Sequence, residues 1–175
     1  MMASLRLNTR MFFSNAYLSY VALFHWLRPA TYLATKVIAP LGQILFFTFI
    51  GQYGSGQSDP TFYIVGNSVQ LAGMSGIFGV TMSVGGDRGA GTLAYIFGTP
   101  SNRLLLFVGR SMIHILDGMM GVVIGLTWGV LLLGLDLGQA DPLALTVVIF
   151  VTAFSTSGMG LMLGSLSLIT VNVMF

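Results

Sequence analysis

Residues Phe62–Val84 read FYIVGNSVQLAGMSGIFGVTMSV and hold no charged side chain. A helix needs ~20 largely apolar residues to cross ~30 Å of hydrocarbon, so this stretch predicts a membrane span. Three others keep it company. Thr35–Tyr53 is apolar around Pro40, which a membrane helix tolerates as a kink. Leu104–Leu135 is clear of charge after Asp117, and Leu143–Ile169 falls in a stretch without charge from Pro142 onward. The whole composition agrees: of 175 residues, 55% are hydrophobic, 7% are charged and 23 are Gly. Ordinary soluble domains carry ~25% charged residues; seven basic and five acidic side chains cannot cover a water-facing surface of this size. Disorder is excluded by the high hydrophobicity. The absence of cysteine excludes a disulfide framework, a thiolate metal site and a cysteine nucleophile. A net charge of +2 makes no case for nucleic acid. The fold class is therefore an all-α integral membrane protein with four transmembrane helices.

The charges set its expected topology. Arg6, Arg10, Arg28 and Lys36 precede the first span, and Arg88, Arg103 and Arg110 fall between the second and third or just inside the third. The two other connections, 54–60 and 136–141, hold only Asp59, Asp136 and Asp141. All seven basic residues share one side, which the positive-inside rule places in the cytosol together with both ends. Upstream, Phe12–Leu27 has no small-residue cleavage site and does not read as a signal peptide. Phe13, Tyr17, Tyr20, Phe24 and Leu27 recur at helical spacing on one face, with Asn8, Asn15, Ser19 and Ala22 opposite. An apolar aromatic stripe bounded by Arg10 and Arg28 predicts an amphipathic interfacial helix over about 10–28. A fifth span is the rival reading; it would leave Arg28 and Lys36 in an exterior loop.

Between spans two and three lies Gly85-Gly86-Asp87-Arg88-Gly89-Ala90-Gly91-Thr92-Leu93-Ala94-Tyr95-Ile96-Phe97-Gly98-Thr99-Pro100-Ser101-Asn102-Arg103. The glycine run predicts the end of span two. Thr92 is placed to N-cap a helix of Leu93–Phe97, and Gly98 to close it. Thr99-Pro100-Ser101 then opens the next helix, where proline's missing N–H costs nothing. The result is a short apolar helix on the cytosolic face, with Arg88 and Arg103 beside it. Its Leu93, Tyr95, Ile96 and Phe97 need lipid, this chain or a partner to pack on.

Asp87-Arg88-x-x-Gly91-Thr92-Leu93, then Thr99-Pro100-x-x-Arg103, then Gly109-Arg110 resembles the permease subunit of type-2 ATP-binding-cassette exporters. Arg28-Pro29, Pro40, Tyr63-Ile64-Val65-Gly66-Asn67 and Gly158-Met159-Gly160-Leu161 with Gly164 extend the resemblance along nearly the whole chain. It implies that the 85–103 loop is a coupling helix docking on a separate ATPase subunit, which binds the ATP and Mg. It also implies a homodimer or pairing with a second permease, and a lipophilic or drug-like cargo exported through the plasma membrane. Two departures stand out. The family's Glu is Asp87 here, which keeps the charge on a shorter reach. The family has six spans, so 1–175 is expected to be a single permease domain missing spans five and six, which a longer chain or a second polypeptide would supply.

Further candidates come from spacing. His114 and Asp117 share a helical face with Arg110 nearby. Ionisable groups in membrane helices are functional candidates; a proton relay and a satisfied polar cluster near the cytosolic end of span three are both open. Gly121, Gly125 and Gly129, Gly160 and Gly164, and Ser75, Gly79 and Ser83 recur every fourth residue, a spacing that lets helix backbones approach closely. The 11 Met residues assign no site. The Gly86–Thr92 run lacks the lysine and preceding strand of a phosphate loop. No catalytic or metal constellation is evident, so ATP hydrolysis is expected on the partner alone. A non-transporting scaffold and a proton-coupled transporter using His114 and Asp117 are the alternative functions.

Overall fold

The computed structural model describes residues 9–14, 16–17, 20–21, 29–56, 59–98, 102–138 and 140–169. Among the described residues it is helical with no strand. In chain order come α1 (Pro29–Ser55), α2 (Thr61–Gly73), a π-helical segment (Met74–Gly79), α3 (Val80–Gly89), α4 (Leu93–Gly98), α5 (Arg103–Leu133) and α6 (Pro142–Ile169). The described residues of 9–21 are helical too. Three helices, Ala30–Ser55, Arg103–Leu133 and Pro142–Ile169, are long and apolar enough to cross a membrane, which fits an all-α membrane protein. From Thr61 to Gly89, α2, the π segment and α3 follow one another without a break.

Short polar side chains set the helix ends. The Asn102 amide oxygen accepts from the N–H groups of Leu104 and Leu105 at 3.1 and 3.4 Å, which caps α5. Asp141 does the same for Leu143 and Ala144 ahead of Pro142, a first-turn proline. Asp59 accepts from the Thr61 N–H at 2.9 Å, and hydrogen bonds from Thr61 hold its carboxyl below the usual range. Gly134 ends α5 at φ 69°, a left-handed conformation costly for residues with a Cβ.

Two boundaries differ from the sequence expectation. The first long helix starts at Pro29 rather than Thr35, since proline is at home in a first turn; Lys36 therefore lies inside a helix. Gly85 and Gly86 do not end the second apolar stretch, and the helix runs on to Gly89. Each interior glycine costs ~1 kcal/mol, but Val84, Gly85 and Asp87 are buried and hold this turn in place. The break comes at Gly91, at φ 69°.

Ile44, Ile64, Ala72, Val122, Leu126, Leu135, Ile149 and Ala153 form the core. Around it, small residues allow the helices to touch. A Cβ on Gly160 of α6 would strike the Gly76 carbonyl oxygen and lie 2.9 Å from Val80 Cβ. One on Gly164 would lie 2.9 Å from Val84 Cβ. On α5, Gly125 faces Ser68 and Ile44, Gly129 faces Ile64, and Gly121 only touches Leu71 at 3.4 Å. The Thr81 hydroxyl donates to the Gly160 carbonyl at 3.1 Å, sealing the closest crossing. Gly160→Val should therefore destabilise the fold by ~3 kcal/mol, the upper end of overpacking. Gly158→Ala, whose Cβ meets open space, should leave the detergent melting temperature unchanged.

Candidate functional site

The 85–103 loop is built on Asp87. Its side chain is 9% exposed, and an ionised carboxylate that buried needs donors. The Arg110 guanidinium of α5 pairs with one oxygen, and the Thr92 hydroxyl donates to the other at 3.1 Å. The Asp87 backbone carbonyl accepts from the Thr92 N–H at 3.0 Å, folding the chain back through Gly91. Arg110 also reaches the Ser83 carbonyl at 3.4 Å. One residue on, Arg88 donates to the Leu168 carbonyl of α6 at 2.9 Å. That carbonyl lies in the last turn of a helix, where main-chain acceptors have no intrahelical partner.

On this mount sits α4. None of its residues is buried. Leu93 and Ile96 are half-covered, whereas Tyr95 is 79% and Phe97 40% exposed. The Arg103 guanidinium lies 4.6 Å from the Phe97 ring centroid, a cation–π contact that fastens the far end to α5. The Thr92 carbonyl accepts from Tyr95 and Ile96 and so starts the helix where expected. Its hydroxyl is turned toward Asp87, donating to the carboxylate and, at 3.2 Å, within reach of the backbone carbonyl. Gly98 lies inside α4 without a left-handed conformation, so the expected glycine closure is absent. Thr99 and Pro100 lie outside the described residues, as do Arg6, Arg28 and most of the predicted interfacial stripe. Of that stripe, Phe13, Tyr17 and Tyr20 are exposed.

Arg110, His114 and Asp117 share a face of α5, and Ser75 reaches both the His114 carbonyl and Asp117, while Arg110 is paired elsewhere. Arg110 belongs to the loop, through Asp87. His114 is buried with its ring against Gly79. Asp117 falls midway along Arg103–Leu133, deeper than the first turns where the sequence reading put it. It gathers its own donors: the Tyr32 hydroxyl on Oδ1, and the Lys36 ammonium and Ser75 hydroxyl on Oδ2, the last at 2.5 Å. Ser75 also contacts the His114 carbonyl at 3.1 Å. Lys36 and Tyr32 were missed as members of this site. The only available signal was an unpaired acid in one apolar stretch and a lysine one helical turn before the proline of another.

Comparison with protein-family models, with curated proteins and with solved structures finds no match.

Breaking a buried ion pair from one side costs ~3–5 kcal/mol because the remaining charge is stranded. Asp87→Asn and Arg110→Gln should each fall near the low end of that range, since Arg110 retains 18% side-chain exposure. Combining them should restore most of the loss. Thermal unfolding in detergent measures the stability, and faster protease cleavage within Gly89–Thr92 should mark each single variant.

Proposed function

We propose that this chain is the membrane-spanning subunit of an ATP-driven exporter. In this reading Thr61–Gly89 is a fourth span and the basic residues other than Lys36 lie on the cytosolic side. The helix α4 is then the coupling helix, seated on a separate ATPase subunit that holds ATP and Mg. A second permease copy faces this one, and a lipophilic cargo leaves the cytosol between them across the plasma membrane.

The observation that carries the reading is the contrast within the loop. Tyr95 stands uncovered and Phe97 keeps part of its ring exposed, while Asp87, Arg88 and Arg103 fix their mount to α5 and α6. A partner pressing on α4 would move α5 through Arg110 and the end of α6 through Leu168. Inverting a 1:99 equilibrium takes ~5.5 kcal/mol, which ATP binding on the partner would supply. This chain's part is mechanical: to receive the push, to resist loop collapse, and to carry it along two helices.

The reading also fixes which substitutions test docking. Arg88 and Leu93 are engaged with the bundle, so changing them confounds docking with folding. Tyr95→Asp alters the uncovered face alone; Phe97→Asp also removes the Arg103 contact, so its melting temperature is measured alongside. The protein, extracted in mild detergent, should co-purify near one-to-one with an ATP-hydrolysing subunit carrying an ATP-binding-cassette sequence. Each variant should lose it by ~30-fold, the effect of removing an aromatic anchor worth ~2 kcal/mol. Folded wild-type protein that brings down no such ATPase would sink the exporter reading in favour of a scaffold or a proton-driven carrier.

A further inference from the structure

We propose that Asp117, Tyr32 and Ser75 form a binding site for a lipophilic organic cation, and that the Lys36 ammonium is its built-in stand-in. The site lies where α1, the π segment and α5 meet. The Asp117 carboxylate is the anion, 9% exposed at its side chain. The Tyr32 hydroxyl holds Oδ1 and the Ser75 hydroxyl holds Oδ2, so two neutral donors from two other helices orient it independently of Lys36. The Lys36 ammonium fills the remaining position and lies 5.8 Å from the Tyr32 ring centroid. A carboxylate beside an aromatic face is the chemistry that recognises an ammonium or phosphonium group.

What makes the occupant exchangeable is its tether and its place. A lysine ammonium rides on a flexible four-carbon stem, and here its side chain is 26% exposed, outside the anion it neutralises. The other buried acid, Asp87, is closed by an arginine that is itself anchored to Ser83. Asp59, Asp136 and Asp141 accept from backbone N–H groups at the helix ends. Asp117 is thus the one described carboxylate that combines burial among apolar helices with a displaceable counter-charge. A permanently charged, apolar-bodied cation arriving from the lipid side of α1 would take the ammonium's position. Lys36 would swing outward along the helix surface. A neutral body of the same shape gains nothing from Asp117. The site follows from the bundle's own geometry; naming it as the place where cargo is held rests on the exporter reading.

Lys36 is the only lysine in the sequence, so its amine reports its own displacement. The purified protein is acylated with a water-soluble acetylating ester, and peptide mass spectrometry follows Lys36. Tetraphenylphosphonium is the probe and triphenylphosphine oxide the neutral control. Saturating cation should speed Lys36 acetylation about tenfold, the factor of a lost charge-assisted hydrogen bond, and the control should not. In Lys36→Met, equilibrium dialysis should show tetraphenylphosphonium binding about tenfold tighter, because its internal competitor is gone. Asp117→Asn should abolish both responses; if that variant fails to fold, the wild-type labelling decides. Labelling that is unchanged or slowed by the cation, or weaker binding to Lys36→Met, overturns the proposal. Either result leaves ATPase association untouched, so the two readings fail separately.

Discussion

A carboxylate removed from water must be met by donors, and two such carboxylates decide how this bundle sits. Ionised and alone in an apolar interior, each would cost many kcal/mol. Asp87 and Asp117 avoid that by recruiting side chains from other elements: Arg110 and Thr92 for one, Lys36, Tyr32 and Ser75 for the other. Apolar surfaces in lipid give helices little reason to choose one register over another. The acids supply that choice. Asp117 fixes α1 against α5, a join reinforced by the Trp128 indole donating to the Val37 carbonyl at 2.9 Å. Asp87 fixes the loop against α5, and its neighbour Arg88 fixes it against α6.

Close approach makes those bonds reachable. The π segment lies at the middle of Thr61–Gly89 and serves two neighbours from adjacent residues. Ser75 turns to Asp117 of α5, while Gly76 lies backbone to backbone with Gly160 of α6. Single π turns within helices often accompany functional positions. Here the widened turn supplies Ser75 to the buried Asp117 carboxylate.

The four apolar stretches were legible because uninterrupted hydrophobicity needs no partner to be seen. The same holds for Gly125, Gly129, Gly160 and Gly164: a repeat of four puts small residues on one face whatever lies opposite, and α2 and α3 do lie opposite. What the sequence hid were relations across distance. Lys36 and Asp117 are 81 positions apart. Sidedness grouped the lysine with the cytosolic arginines, because counting charges cannot show that one of them enters a helix. Proximity along α5 likewise tied Arg110 to Asp117, when a partner 23 positions upstream, Asp87, was better placed. Thr92 shows the local version of the problem. Its residue type fits a helix cap, but the hydroxyl is turned toward a buried carboxylate that no local pattern points to.

These long-range bonds impose an order on the making of the protein. Tyr32 and Lys36 wait for Asp117, and Arg88 waits for Leu168, across 80 to 85 positions. At ~5–20 residues per second, each wait is on the order of ten seconds. Until Asp117 is made, the Lys36 ammonium of α1 lacks the carboxylate it meets in the finished fold. It takes its final place only when α5 brings the acid. The 85–103 loop hardens later still, after α6 and its Leu168 have been made. Until then the ribosome-bound chain presents a slack loop, without the bond that ties Arg88 to α6.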